Sequence, residues 1–409
     1  MRAEDMSLQR RLLVFATIML PYACYAFCWN TENFLRPYMA ESLALTKTQV
    51  STFYTLQGLG ALIGAILLSQ LADRFGRRNL LAVIAAGIGI SACGVVFVTD
   101  FSSALLQRFV MGFFLGGVFG CSVSIYIGIF PPAMRGLLAG IVQLVYNGGD
   151  AMLSWFGRHY DASNWQTVLQ IGGVGALASA VAVLALIPND RTLVPWGSTA
   201  ARIVRPGSGI FVVRELFAAG RWRLTWRLAL LCGLNFFAFQ AFNGWVTTYL
   251  REQQSYSPDM VGRVMTALHV GSMIGAIVWG LLADRFGRKT NAVGFVLAAM
   301  FIVVYLSVPA SPLSYGIVGF CYGFCLVCAG IWGPYFAELY PEHLRATAAS
   351  IFNWGRIVSL FGAPLTGAIA SNFGLQAVMF VGAVTFVLAA ALWWSLPETL
   401  QRAPTMRTS

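Results

Sequence analysis

Leu71-Ala72-Asp73-Arg74-Phe75-Gly76-Arg77-Arg78 returns as Leu282-Ala283-Asp284-Arg285-Phe286-Gly287-Arg288-Lys289, an offset of 211 residues with one conservative change. A second pair runs almost in step. Phe130-Pro131 up to Arg135 is echoed by Tyr340-Pro341 up to Arg345, at an offset of 210. One basic loop of this kind is compatible with a mere cationic anchor at a membrane surface. Two in register, each with the same downstream companion, mean that the chain is a duplicated unit.

The sequence around these loops is that of a membrane protein. Of 409 residues 58% are hydrophobic and 11% charged, with a mean hydropathy of +0.70, against about 25% charged in an ordinary soluble domain. A water-soluble enzyme, a disordered chain and a nucleic-acid binder are thereby excluded. The 42 glycines are spread along the length, as closely packed membrane helices require. Apolar stretches of the ~20 residues that cross a bilayer lie near 12–35, 51–71, 79–98, 102–130, 137–157 and 167–187. A second six lie near 225–249, 261–283, 291–310, 313–338, 347–370 and 374–396.

The net charge of +11 reports topology. Arg36, Lys47, Arg158, Arg251 and Arg263 fall in connections on one side, and twenty cations fall in the other connections and the two tails. Basic residues are retained in the cytoplasm, so both termini are expected there. The fold class expected is an all-α membrane protein of twelve transmembrane helices in two pseudo-symmetric six-helix bundles. These occupy 1–187 and 225–409, joined by an arginine-rich cytoplasmic linker, 188–224. The N-terminal apolar stretch is too long for a signal-peptide core and is expected to persist as the first span. No Asn-x-Ser/Thr sequon occurs, which favours a bacterial cytoplasmic membrane. All eight cysteines lie in apolar segments, so Cys321, Cys325 and Cys328 are read as packing residues, not metal ligands.

The AspArgPheGlyArg-type loop after the second span, echoed after the eighth in a 6+6 chain, resembles the major facilitator superfamily along the whole length. Ser69 stands where the second copy has Gly280. The stretch from Glu338 to Ala348, Gly355-Arg356-Ile357 and Leu396-Pro397-Glu398-Thr399 resemble the branch of organic-acid proton symporters, sugar porters and organic-ion transporters. The resemblance implies a charge latch at the cytoplasmic face. Asp73 and Asp284 would cap helices of the opposite half, and Arg74, Arg285 and Glu338 would pair locally, with Arg78 and Arg345 beside them. The span-1 position where aromatic-acid symporters carry AspGlyxAsp reads Tyr25 to Cys28 here, and both acids are missing.

Ionisable groups at membrane depth are functional candidates by default. Glu32, Arg108 and Asp150 lie at similar depth in the first half and are expected to form one cluster. Its reading is either a static Arg108–Asp150 pair or a proton sensor. Gln143, Asn147, Asp150 and Ser154 form a polar stripe that faces a cavity, with Tyr146 between them. Arg356, with Asn353 one turn before, has no acidic partner at its depth and calls for an anion, a carboxylate being the bidentate match. Gln240, Asn243 and Trp332 complete the candidate substrate site, and His269 is a candidate proton carrier.

These residues point to a secondary transporter of a small organic anion, such as an aromatic carboxylate, imported with a proton by alternating access. No cofactor is expected beyond the coupling proton. The partners expected are the substrate and the bilayer, with no nucleic acid, and the chain is expected to work as a monomer. The rival readings are proton-driven efflux, a sugar or polyol porter, or a uniporter. The span-5 sequence from Gly140 lacks the proline of the antiporter motif, and a buried arginine disfavours sugar. Scattered histidines and the absence of a soluble output domain argue against an enzyme and a receptor.

Overall fold

The computed structural model describes residues 3–189, 215–218, 220–340, 348 and 351–399, and at Asp73, Asn353, Arg356 and several other positions the backbone alone. Among the described residues the chain is all helical, with no strand. In the first part run α1 (Leu8–Ser42), α2 (Lys47–Phe75), α3 (Arg77–Cys93), α4 (Phe101–Ile129), α5 (Pro132–Gly157) and α6 (Gln166–Leu186). In the second run α7 (Trp222–Glu252), α8 (Pro258–Phe286), α9 (Ala292–Ser307), α10 (Pro312–Leu326), α11 (Trp332–Glu338), α12 (Ile351–Phe373) and α13 (Leu375–Trp394). Among the described residues, ten helical stretches are long and apolar enough to cross a membrane. Apolar helices satisfy every backbone group internally, which is what lipid demands.

Polar caps mark where these helices meet the ends of the bundle. Thr46 and Gln49 form a capping box at α2, Asp100 and Ser103 another at α4, and Ser257 and Ser311 cap α8 and α10. Each satisfies amide groups that an apolar sequence would leave bare. The repeated motif is a chain reversal. Gly76 and Gly287 close α2 and α8 at φ of 92° and 109°, a left-handed conformation that glycine alone adopts without penalty.

Packing repeats at the offset that the motif sets. Gly60 and Gly64 of α2 lie against the carbonyls of Phe109 and Phe113 of α4, while Gly271 and Gly275 of α8 lie against those of Phe320 and Phe324 of α10. Gly112 meets the Gln57 carbonyl just as Gly323 meets that of Leu268. Every pair is shifted by 211 residues. Among the described residues the two sets meet chiefly at α1 on α7, α2 on α12 and α5 on α8, so these helices line what lies between them.

Two expectations are corrected. Arg36, assigned to a loop, is inside α1, which runs on to Ser42. It is wholly buried and bonded to Glu32 one turn earlier, so the charge does not end the helix. The stretch expected as one span over 313–338 breaks at a 3-10 turn, Val327–Ile331, into α10 and α11. There the Asn291 side chain donates to the Cys328 carbonyl, 3.0 Å away, and satisfies backbone freed by the break.

Candidate functional site

A narrow cavity lies between the two sets, lined by Asn30, Asn33 and Phe34 of α1, Leu153 of α5, Asn243 of α7 and His269 of α8. Beside it sits Asp150 of α5, 6% exposed. Asn30 Nδ2 donates to Asp150 Oδ1 at 2.5 Å, and His269 Nδ1 of the second set approaches Oδ2 within 3.9 Å. Asp150 thus joins α1, by an amide donor, to a histidine of α8 across the interface between the two sets.

The expected Glu32–Arg108–Asp150 cluster does not form. Arg108 donates from Nη1 to Thr31 Oγ1 at 2.8 Å and to Gln57 Oε1 at 3.4 Å, and from Nη2 to Met39 Sδ. Glu32 pairs with Arg36 at 2.6 Å and interacts with Arg108 electrostatically. Asp150 is bonded on the other side, at Asn30. Successive helix residues point about 100° apart, so Asn30 faces α5 while Thr31 addresses α4. Matching depth could not distinguish them.

Other candidates divide between the cavity and the core. Asn243 lines the cavity and accepts from Tyr322 Oη at 2.6 Å. Gln240, one turn earlier on α7, is 0% exposed, and neither of its amide atoms has a partner among the described residues. Asn147 donates to the Gln143 carbonyl at 3.1 Å, so the α5 stripe bonds within itself. Tyr146 Oη lies 3.3 Å from Asn30 Nδ2. Trp332 is not at the cavity; it stacks on Phe336 and abuts Phe295 and Trp393 in the core of the second set. The side chains of Asn353 and Arg356 lie outside the described residues.

At the motif end the expected pairing is shifted by one turn. Arg288, not Arg285, carries the Glu338 pair at 3.0 Å and also holds Asp284 at 2.6 Å. Asp284 is thus engaged within its own loop and not at a helix of the opposite half. Arg285 instead lies over the Phe286 ring. The turn at Gly287 reverses the chain, so the residue after it reaches α11. Glu398 closes this network by accepting the Arg288 and Lys289 amides, both at 2.9 Å, and Thr399 Oγ1 donates to Glu338. Arg78 donates to the Leu184 carbonyl at 2.7 Å and Arg74 lies over Phe75. The Asp73 side chain and Arg345 lie outside the described residues.

Sequence reasoning missed the opposite end. There Lys47 pairs with Glu252 at 2.9 Å, Arg251 with Glu41 at 3.8 Å and Arg158 with Asp259 at 3.7 Å. All three join the first set of helices to the second. The only signal was that these charges cluster in the short connections of one side.

The profile of the Major Facilitator Superfamily matches residues 18–357 and 228–408. A 3-(3-hydroxy-phenyl)propionate transporter of Escherichia coli is 27% identical, over 86% of this chain and 85% of its own. A gallate transporter of Pseudomonas putida is 24% identical, over 88% and 86%. The crystal structure of a bacterial homologue of the human lysosomal transporter Spinster, in an inward-facing, occupied conformation, superposes with a TM-score of 0.78 at 16% identity, covering 95% and 97%. With the profile spanning nearly the whole chain and the helices packed as two repeats, the chain belongs to the Major Facilitator Superfamily, as a membrane transporter and not an enzyme.

Proposed function

We propose that the chain imports a small carboxylate, aromatic in class, together with a proton, by rocking two six-helix bundles about the cavity between them. The bundles are 1–187 and 225–409, joined by a cytoplasmic segment at 188–224, giving twelve spans with both termini in the cytoplasm of a bacterial inner membrane. The observation that carries this reading is the Asp150 junction. A buried carboxylate of α5 reaches His269 of α8 across the interface that rocking must open, so proton occupancy and the closing of the halves are one event. The aromatic acids named for the relatives support the substrate class. Arg356 and Asn353, on the stretch of α12 past which the bundles close, receive the carboxylate, with Gln240, Asn243, Asn147, Gln143 and Tyr146 around it. Arg108 is a structural cation of the first bundle. Asp284, Arg288 and Glu338, with Asp73, Arg74, Arg78 and Arg345, form the cytoplasmic latch.

The test is uptake by proteoliposomes of benzoate, 4-hydroxybenzoate, gallate and arabinose, with and without an inward proton gradient. Acids are expected to accumulate under the gradient, and Asp150→Asn is expected to abolish accumulation while sparing exchange of labelled for unlabelled acid. Uptake of arabinose with no uptake of any acid would overturn the substrate class. Gradient-driven accumulation by Asp150→Asn equal to wild type would overturn the coupling.

A further inference from the structure

Arg36 is buried completely between the two sets of helices, and its hydrogen bonding is incomplete. Nε and Nη2 donate to a single oxygen of Glu32, at 3.2 and 2.6 Å, and Nη2 also reaches Asn33 Oδ1 at 3.2 Å. Nη1 has no acceptor and Glu32 Oε2 no donor among the described residues. The guanidinium lies 4.5 Å from the Trp245 ring of α7. Gly244 leaves room for it: a methyl there would stand 3.1 Å from Arg36 Nη1 and 2.7 Å from Gln240 Nε2. Gln240 lacks partners for both amide atoms, and Trp245 for its indole N–H. The Nη1 end of a guanidinium, an amide and an indole N–H are three donors without acceptors among the described residues in one buried place. A buried donor left unmet is costly, so each favours an acceptor that can reach it. Asn33, which bonds Arg36, also lines the cavity. The place therefore adjoins the transport path, just inside the Glu41–Arg251 pair.

An acceptor with two coplanar oxygens is what these donors lack. We propose that Arg36 is a second carboxylate receptor, met by the substrate before the cavity, with Glu32 as the resident anion that the substrate's carboxylate displaces. Gln240 and Trp245 donate to the incoming group from the opposite bundle, so binding draws α1 and α7 together. Displaced Glu32 has a second cation within reach. Arg108 of α4 already interacts with it, and Arg108 Nε is likewise without a partner among the described residues. The exchange therefore leaves no charge bare. Cation–π contact with Trp245 holds the guanidinium in place throughout.

This inference rests on the carboxylate reading above, and its test separates the two. Binding of benzoate and 4-hydroxybenzoate, and of the corresponding amides, is measured by calorimetry on detergent-purified full-length protein. Wild type is expected to prefer each acid over its amide by at least tenfold. Glu32→Gln removes the competing anion and should tighten acid binding about threefold or more, leaving amide binding alone. Arg36→Gln strands Glu32 and risks misfolding, so the decisive variant is Glu32→Gln with Arg36→Gln, which buries no net charge. It should bind the amides as wild type does and lose roughly tenfold to a hundredfold of acid affinity, as expected for charge-assisted hydrogen bonds. A double variant that keeps the acid preference overturns the Arg36 receptor, and so does a Glu32→Gln that weakens acid binding. If wild type itself shows no preference for acids, the carboxylate reading falls and this one with it.

Discussion

At the scale of single residues, the molecule is decided by where a charge or a glycine is placed on a helix, not by how deep it lies. Depth along the chain is legible in sequence, at about 1.5 Å per residue. Rotation about the axis is legible only where the pattern is strongly one-sided, and the first helix is polar all round at Asn30-Thr31-Glu32-Asn33. Glu32 and Asp150 therefore looked like neighbours, yet Asn30 and Thr31, adjacent in sequence, lead to different helices. Arg36 looked like the first loop residue because the apolar stretch was read as ending at residue 35. Burial against Glu32 and Trp245 instead let α1 continue for another turn and a half. Gly287 sits at a φ of 109°, which glycine alone adopts without penalty. A methyl there would also stand 2.6 Å from Glu398 Oε2, in the carboxylate that caps the Arg288 and Lys289 amides. Gly287→Ala is accordingly expected to lose about 1–3 kcal/mol of stability, read as a fall in the thermal midpoint of purified protein by intrinsic fluorescence. Glu398→Gln, which keeps an acceptor oxygen but gives up the charge, should lose less. Equal midpoints for Gly287→Ala and wild type would refute the strained turn.

At the scale of elements, the repeat found in eight residues proves to govern backbone packing throughout each half. The helices themselves were legible because a bilayer accepts no unsatisfied backbone, so each span announces itself by length and apolarity. The break after Leu326 was not legible, because the Asn291 amide that satisfies it comes from a different helix. What the offset of 211 adds is contact. Gly112 on α4 and Gly323 on α10 each sit where a Cβ would fall within 2.1 Å of a carbonyl oxygen, of Gln57 and Leu268 respectively. Both helix pairs owe their close approach to an absent side chain. Gly112→Ala and Gly323→Ala are thus expected to destabilise by similar amounts, about 1–3 kcal/mol each, because the overpacked backbone must part. Gly280→Ala, at a position with nothing within 4 Å of the added carbon, should stay within about 0.5 kcal/mol of wild type. Thermal midpoints of the three variants in one detergent decide it. A Gly280→Ala loss as large as the other two would mean that glycine matters here for reasons other than helix approach.

At the scale of the whole molecule, the ion pairs of the described residues differ in what they join. Those at the motif end, Arg288 with Asp284 and Glu338, tie the second set of helices to itself. Three at the opposite end tie the first set to the second, α2 to α7 by Lys47–Glu252, α1 to α7 by Glu41–Arg251 and α5 to α8 by Arg158–Asp259, whereas Arg263–Asp259 at 2.8 Å stays within α8. Those three hold the two sets of helices together at the end away from the motif, which is the outer end in the orientation proposed above. The pairs are solvent-facing, Lys47 at 32% and Glu252 at 41% exposure, so each is worth only about 0.2–1 kcal/mol. Such weakness suits a gate, since three pairs bias the equilibrium between open and closed forms without locking it. Glu252→Lys sets two like charges face to face and should raise amide hydrogen exchange at the C-terminal turns of α1 and α7 by about twofold to fivefold. Exchange near Gly287 should stay as it was. The charge swap, Lys47→Glu with Glu252→Lys, should bring exchange back to the wild-type rate, and moving from ~0.1 M to 1 M salt should reproduce part of the single-variant effect by shrinking the Debye length from ~10 to 3 Å. Mass-spectrometric exchange on reconstituted protein reads all four conditions. If Glu252→Lys leaves the outer turns as protected as before, or if the swap fails to restore them, the pairs decorate a closed end that packing alone maintains.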